Sequence, residues 1–118
     1  MIGTWHGLVI DCKNPKKLAS FYEAVLGYVR VNDWDDWVVI GISADRPGIA
    51  FQQIENYVAP TWPDPSIPTQ MHLDVRVDDI PTAFDQAAAL GATLLSKNHE
   101  GCWVLADPEG HPFCLVTM

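Results

Sequence analysis

Apolar and polar positions follow two rhythms along this chain, and the succession of rhythms occurs twice. His6 to Asp11 has the short, β-branched character of a strand. Leu18, Phe21, Tyr22, Val25 and Leu26 then fall at i, i+3, i+4, i+7 and i+8, one apolar stripe on a helix that needs a sheet to cover it. Asn14-Pro15 supplies an N-cap followed by proline at the first helical position, and Gly27 stands where a C-cap glycine belongs, so the spacing predicts a helix over 15–26. Tyr28 to Val31, Trp37 to Ile42 and Ile49 to Ile54 read as three more strands, separated by the turn chemistry of Asp33-Trp34-Asp35-Asp36 and Asp45-Arg46-Pro47-Gly48.

The same order returns after Thr69. A strand from Met71 to Val77 precedes a helix with Ala83, Phe84, Ala87, Ala88 and Leu90 on its face, then Gly91, then strands near Ala92 to Ser96, Cys102 to Ala106 and Pro112 to Thr117. Between the two runs, Val58 to Thr69 holds four of the nine prolines and cannot run as a helix or a central strand. The predicted organisation is one domain over 1–118, with module one at 1–57, a linker at 58–69 and module two at 70–118.

The repeat has a chemical consequence. His6 and Pro15 recur 66 positions later as His72 and Pro81, and Asp45-x-x-Gly48-x-x-Phe51-Gln52 recurs 62 positions later as Asp107-x-x-Gly110-x-x-Phe113-Cys114. His6 is thereby matched with His72 and Gln52 with Cys114. Side chains alternate across a pleated strand, so His72, Asp74 and Arg76 share one face while Leu73, Val75 and Val77 share the other, which must meet the helix. Gln52 lies opposite Phe51, and Cys114 opposite Phe113 and Leu115. With the modules packed about a pseudo-twofold axis, all four candidates face a concave cavity.

Composition narrows the classes. A net charge of -8 with no basic run longer than Lys16-Lys17 excludes a nucleic-acid partner, and no window approaches a membrane span. Three widely spaced cysteines do not make a disulfide framework, and with no secretory signal in Met-Ile-Gly-Thr-Trp the expected location is cytoplasmic.

Two βαβββ units, each opening with a His-bearing strand, with Asp107-Pro108-Glu109-Gly110-His111-Pro112-Phe113 before the last strand, resemble the vicinal oxygen chelate superfamily of glyoxalases, extradiol dioxygenases and bleomycin-resistance proteins. His72-Leu-Asp-Val-Arg-Val-Asp-Asp, Asn14-Pro15 and the Phe21-Tyr22 to Leu26-Gly27-Tyr28 run carry the same resemblance. It implies an α+β fold in which two βαβββ modules form an open, eight-stranded, U-shaped barrel with helices outside, in a homodimer. It also implies a divalent metal held by residues on the first, fourth, fifth and eighth strands, here His6, Gln52, His72 and Cys114.

The chain departs from the family at the last of these. Glyoxalase I has a glutamate on the eighth strand as ligand and base, and extradiol dioxygenases hold iron with two histidines and a carboxylate, so neither ordinary activity is expected with Gln52 and Cys114 in place. Two nitrogens, an oxygen and a sulfur suit Zn²⁺ better than Mg²⁺ or Ca²⁺. Cys114 and Asp74 are the catalytic candidates, and Arg76, Trp37 and Trp103 the candidates for binding substrate, against the simpler roles of salt bridging for Asp74 and Arg76 and packing for the tryptophans and Cys114. His99 and His111 read as surface residues, and Cys12 and Cys102 as structural. Two functions stay open: a metal-assisted lyase or isomerase acting on a small oxygenated molecule, and a metal-free protein that sequesters a hydrophobic or cationic molecule.

Overall fold

The computed structural model describes all residues, 1–118. They form two compact units, Met1–Tyr57 and Val58–Met118.

In the first unit the elements run β1 (Gly7–Cys12), α1 (Pro15–Leu26), β2 (Val29–Asp33), β3 (Trp37–Gly41) and β4 (Gly48–Gln53). The sheet order is β1-β4-β3-β2, with β1 parallel to β4 and the other pairs antiparallel. The predicted helix is present with its predicted ends. Asn14 caps it through a hydrogen bond accepted from Lys17 N, and Gly27 ends it in the left-handed region at φ 68°, where a side chain would be strained. Leu18, Phe21 and Tyr22 are buried, and Tyr22 stacks on Phe51 at 5.6 Å, which fixes the Phe51 side of the sheet as the helix side. Val38 and Ile40 lie on that side too, paired with Phe51 and Ile49. Arg30 on β2 fastens the helix to the sheet edge, with Nη2 at 2.5 Å from Glu23 and Nη1 at 2.7 Å from Asp33, and the Glu23 hydrogen bond raises its pKa above the ordinary value.

In the second unit the order is β5 (Leu73–Arg76), α2 (Ile80–Ala89), β6 (Thr93–His99), β7 (Cys102–Ala106) and β8 (Pro112–Val116), in a sheet ordered β5-β8-β7-β6. Again the first and last strands pair in parallel. β8 is central and buried along its whole length, while β5 forms an edge. Asp79 caps α2 by accepting from Thr82, whose hydroxyl and N–H hold the Asp79 carboxyl below the usual carboxylate value. Leu90, expected on the buried face, is 44% exposed because α2 closes at Ala89 and Leu90 serves as its C-cap.

The proline-rich segment is neither helix nor strand, as its composition predicts. It belongs with the second unit and closes on itself: Thr61 N donates to Ile67 O at 2.8 Å, Ile67 N donates back to Thr61 Oγ1 at 3.0 Å, and Ser66 bonds Asp64. The Asp-Pro-Glu-Gly-His turn between β7 and β8 is built around a buried carboxylate. Asp107, 3% exposed, accepts from the N–H of Glu109 and of His111, and lies 2.8 Å from His111 Nδ1. His111 is therefore not the surface residue expected from its place in a polar turn, since its ring is drawn inward to that charge.

Candidate functional site

Strand register decides which of the sequence candidates meet. In the second unit, residues facing each other across β5 and β8 are 40 positions apart, and Cys114 follows His72 by 42. The two are thus displaced by two residues, which keeps them on one face. In the first unit, facing residues on β1 and β4 are 41 apart, whereas Gln52 follows His6 by 46. That displacement of five residues is roughly 16 Å along the strands, which sets the two at opposite ends of the β1–β4 pair. His6 stands just before β1, exposed, its carbonyl accepting from Gly48 N, while Gln52 sits at the far end opposite Asp11. The expectation that His6 and Gln52 come together is corrected on this point. Repeat matching aligns motifs, but it does not reproduce the register between strands.

What the second unit gathers instead is His72, Asp74 and Cys114. Their donor atoms all lie within 4.8 Å of one another, and His72 Nε2 is 3.3 Å from Asp74 Oδ1. Asp74 faces Cys114 directly across the parallel pair. Arg76 is two residues further on the same face and forms no ion pair, and the partner of Asp74 is His72 of its own segment, so the cross-strand salt bridging expected of Asp74 and Arg76 is not formed. In the sequence Asp74 is a catalytic candidate on the His72 face and not a member of the ligand set. Its promotion to a third donor follows from register, which the sequence alone does not display.

Cys114 is 5% exposed and packs with Val104, Val116 and Cys102. Burial pushes its thiol pKa up to about 12, with a hydrogen bond to Cys102 and the neighbouring charge of Asp74 adding to the effect. A thiol so placed is protonated at neutral pH and is no nucleophile unless a cation draws the proton away.

A divalent ion fits this donor set. A tetrahedral site with nitrogen and sulfur ligands has donor–donor separations of roughly 3.4–3.8 Å, so closing the three from within 4.8 Å takes shifts of about 1 Å. One nitrogen, one carboxylate and one thiolate favour a borderline-soft ion such as Zn²⁺ over Mn²⁺ or Mg²⁺.

The first unit carries a separate cleft of about 290 Å³ on the face away from α1. Trp37, Val39, Val9 and Ala50 line it, with His6 and Arg46 as its ionisable groups. Its floor is made by Gly7 and Gly48, directly paired, where a Cβ would stand 2.5 Å from Gly48 O or 2.3 Å from Ile40 O. Trp37 is among its lining residues, and Gln52 is outside the lining. Trp103 takes the packing role, the simpler of its two readings. It lies on the β7 face opposite Cys102 and Val104, packed 5.8 Å from Phe84 of α2 with Lys97 Nζ 5.5 Å from its ring centroid. Arg46 was not singled out in the sequence, where it reads as an ordinary turn residue. A hollow of about 250 Å³ in the second unit is lined by Trp62, Asp64, Gln70 and His72, so the proline-rich loop borders the metal-ligand candidate His72.

Residues 7–116 match the glyoxalase-like domain family, and the chain belongs to that family, within the vicinal oxygen chelate superfamily. Among solved structures, the fosfomycin resistance protein FosX from Mesorhizobium loti aligns at TM-score 0.70 and 17% identity, covering 100% of this chain and 93% of that one. A glyoxalase/bleomycin resistance protein/dioxygenase family enzyme from Burkholderia phytofirmans PsJN aligns at 0.70 and 17%, covering 94% and 95%. A glutamate-to-glutamine variant of FosX from Listeria monocytogenes, complexed with Mn(II) and 1S,2S-dihydroxypropylphosphonic acid, aligns at 0.70 and 13%, covering 99% and 93%. At such identities the likeness is one of fold. No curated protein matches the sequence. No helix is long and apolar enough to cross a membrane.

Proposed function

We propose that this protein is a glyoxalase-like enzyme, a lyase or isomerase, that uses a divalent cation held by His72, Asp74 and Cys114 to act on a small oxygenated molecule. The observation that carries this reading is the convergence of those three donors within 4.8 Å on one face of the second sheet. The presence of Mn(II) in a FosX of the same fold supports it. A bound cation supplies Lewis-acid polarisation of a substrate oxygen. Asp74 then serves as the proton acceptor that the family places on the eighth strand, Arg76 on the same face binds an anionic part of the substrate, and Cys114 would hold the cation as a thiolate, its proton being lost on metal binding, while its burial keeps it from acting as a nucleophile. Zn²⁺ is the ion proposed. A homodimer is proposed too, supported by Leu94 and Leu95 exposed on the edge strand β6.

Elemental analysis of protein purified without an affinity-tag metal tests this reading. Stoichiometric zinc that disappears in His72→Ala and in Asp74→Ala is expected. No metal retained after reconstitution with Zn²⁺, Ni²⁺, Fe²⁺ and Mn²⁺ overturns it.

A second reading is a binding protein that sequesters a small molecule without metal. The cleft of the first unit favours it, being apolar-walled, lined by Trp37 and free of any metal-ligand cluster. Titration of metal-stripped protein with small aromatic compounds checks this reading. Complete absence of binding counts against it.

A further inference from the structure

The charge of the first unit's cleft is opposite in sign to that of the chain. The chain carries 15 acidic residues against seven basic ones, yet none of the acids lines this cleft and Arg46 does. Two neighbouring acids are paired with cations, and a third bonds a hydroxyl of the lining. Asp33 is bound to Arg30 and Lys16, Asp35 lies 3.4 Å from Lys16, and Asp45 accepts from Ser43 Oγ at 2.6 Å. Arg46 itself makes no ion pair. Lys16 and Arg30, the other cations of this unit found in ion pairs, are spent on structure.

The remaining lining divides into two parts. Trp37, Val39, Val9, Val31 and Ala50 give an apolar wall, while Asn32 and Ser43 give neutral polar groups. Gly7 and Gly48 border the cleft without side chains, at positions where a Cβ would meet backbone oxygen. A volume of about 290 Å³ suits a ligand of one ring or a short branched chain. A guanidinium presents a planar donor fork that a carboxylate matches in two parallel hydrogen bonds.

We propose that this cleft is a binding site for a small organic acid, with the apolar body against Trp37 and Val39 and the carboxylate on Arg46. The assignment rests on the binding reading above and is independent of the metal site. It reverses the cationic ligand that the acidic composition suggests, because the composition describes the surface as a whole and the cleft excludes the acids.

The test is calorimetric titration of the full, metal-stripped chain with benzoate, benzyl alcohol and benzylamine, three probes of like size that differ in charge. Benzoate is expected to bind at least about tenfold more tightly than benzyl alcohol, the scale of one charge-assisted hydrogen bond. Benzylamine is expected to bind weakest. Arg46→Gln, an exposed substitution that leaves the core untouched, is expected to bring benzoate down to the level of benzyl alcohol without changing the alcohol. Amide and indole shifts in the NMR spectrum of the benzoate complex are expected at Trp37 and around Arg46. If benzyl alcohol or benzylamine binds as well as benzoate, or if Arg46→Gln leaves benzoate binding intact, the acid assignment is overturned while the binding reading stands. If none of the three binds, both fall.

Discussion

Asp74 faces Cys114 directly across the parallel β5–β8 pair, a carboxylate on an edge strand beside a thiol on a central one. The proximity raises the cost of ionising the sulfur, on top of the larger cost of burying a thiolate.

Alkaline stability follows from that relationship. The Cys114 thiol has an ordinary value of 9.0 and is pushed up to about 12 in the folded protein. The folded state therefore keeps a proton that the unfolded state gives up, and the stabilisation is whole below pH 9 and lost as pH rises towards 12. Compared with Cys114→Ala, the wild-type protein is expected to lose stability more steeply across that window. Denaturant unfolding at a series of pH values reads the difference, and parallel curves refute it.

Metal preference should depend on the same sulfur. With Cys114 present, Zn²⁺ is expected to bind well ahead of Mn²⁺, following both the divalent affinity order and the preference of thiolate for softer ions. Cys114→Ser replaces sulfur by oxygen at nearly constant size and is expected to narrow the gap chiefly by weakening Zn²⁺. Competition titrations with a chromogenic chelator measure both affinities. An unchanged ratio removes Cys114 from the ligand set.

The buried Asp107 makes a strong stability prediction. Asp107→Ala leaves the N–H of Glu109, the N–H of His111 and the His111 ring without their acceptor in the β7–β8 turn. The expected loss is about 2–4 kcal/mol, from several buried donors left unmade. His111→Ala removes one partner and is expected to cost less. Chemical denaturation ranks the two, and an equal or reversed order contradicts the turn's construction around the carboxylate.

Gly48 probes the floor of the first cleft. A methyl there meets the Ile40 carbonyl at 2.3 Å, which is backbone and cannot swing aside. Gly48→Ala is expected to destabilise the unit by about 1–3 kcal/mol, the range for overpacking a tight site. Thermal unfolding reads it, and a neutral substitution shows that the β3–β4 pair yields more easily than its hydrogen bonds suggest.

The sequence makes the elements and the family legible because local rules govern them. Asn14-Pro15 and Gly27 mark a helix by their own backbone chemistry, and the apolar stripe from Leu18 to Leu26 needs only its own spacing. The candidate site was legible in half. His72 and Cys114 meet as expected, whereas His6 and Gln52 are drawn apart by a register that depends on how two strands 41 residues apart settle against each other. The places of Trp103 and Arg46 were not legible for a related reason. Whether a tryptophan covers a helix or lines a cleft, and whether an arginine finds an acid, depends on neighbours that are distant in sequence.

The placement of β5 at the sheet edge gives the three donors unequal freedom. Cys114 is pinned between two ladders, but Asp74 belongs to a strand paired on one side only, and His72 lies just beyond that strand's end beside the proline-rich loop. Two donors can thus shift by an ångström without tearing the sheet, while the third stays as a fixed post. Such an arrangement tolerates ions and substrates of differing size, with the accommodation made at the margin of the fold and its centre left undisturbed.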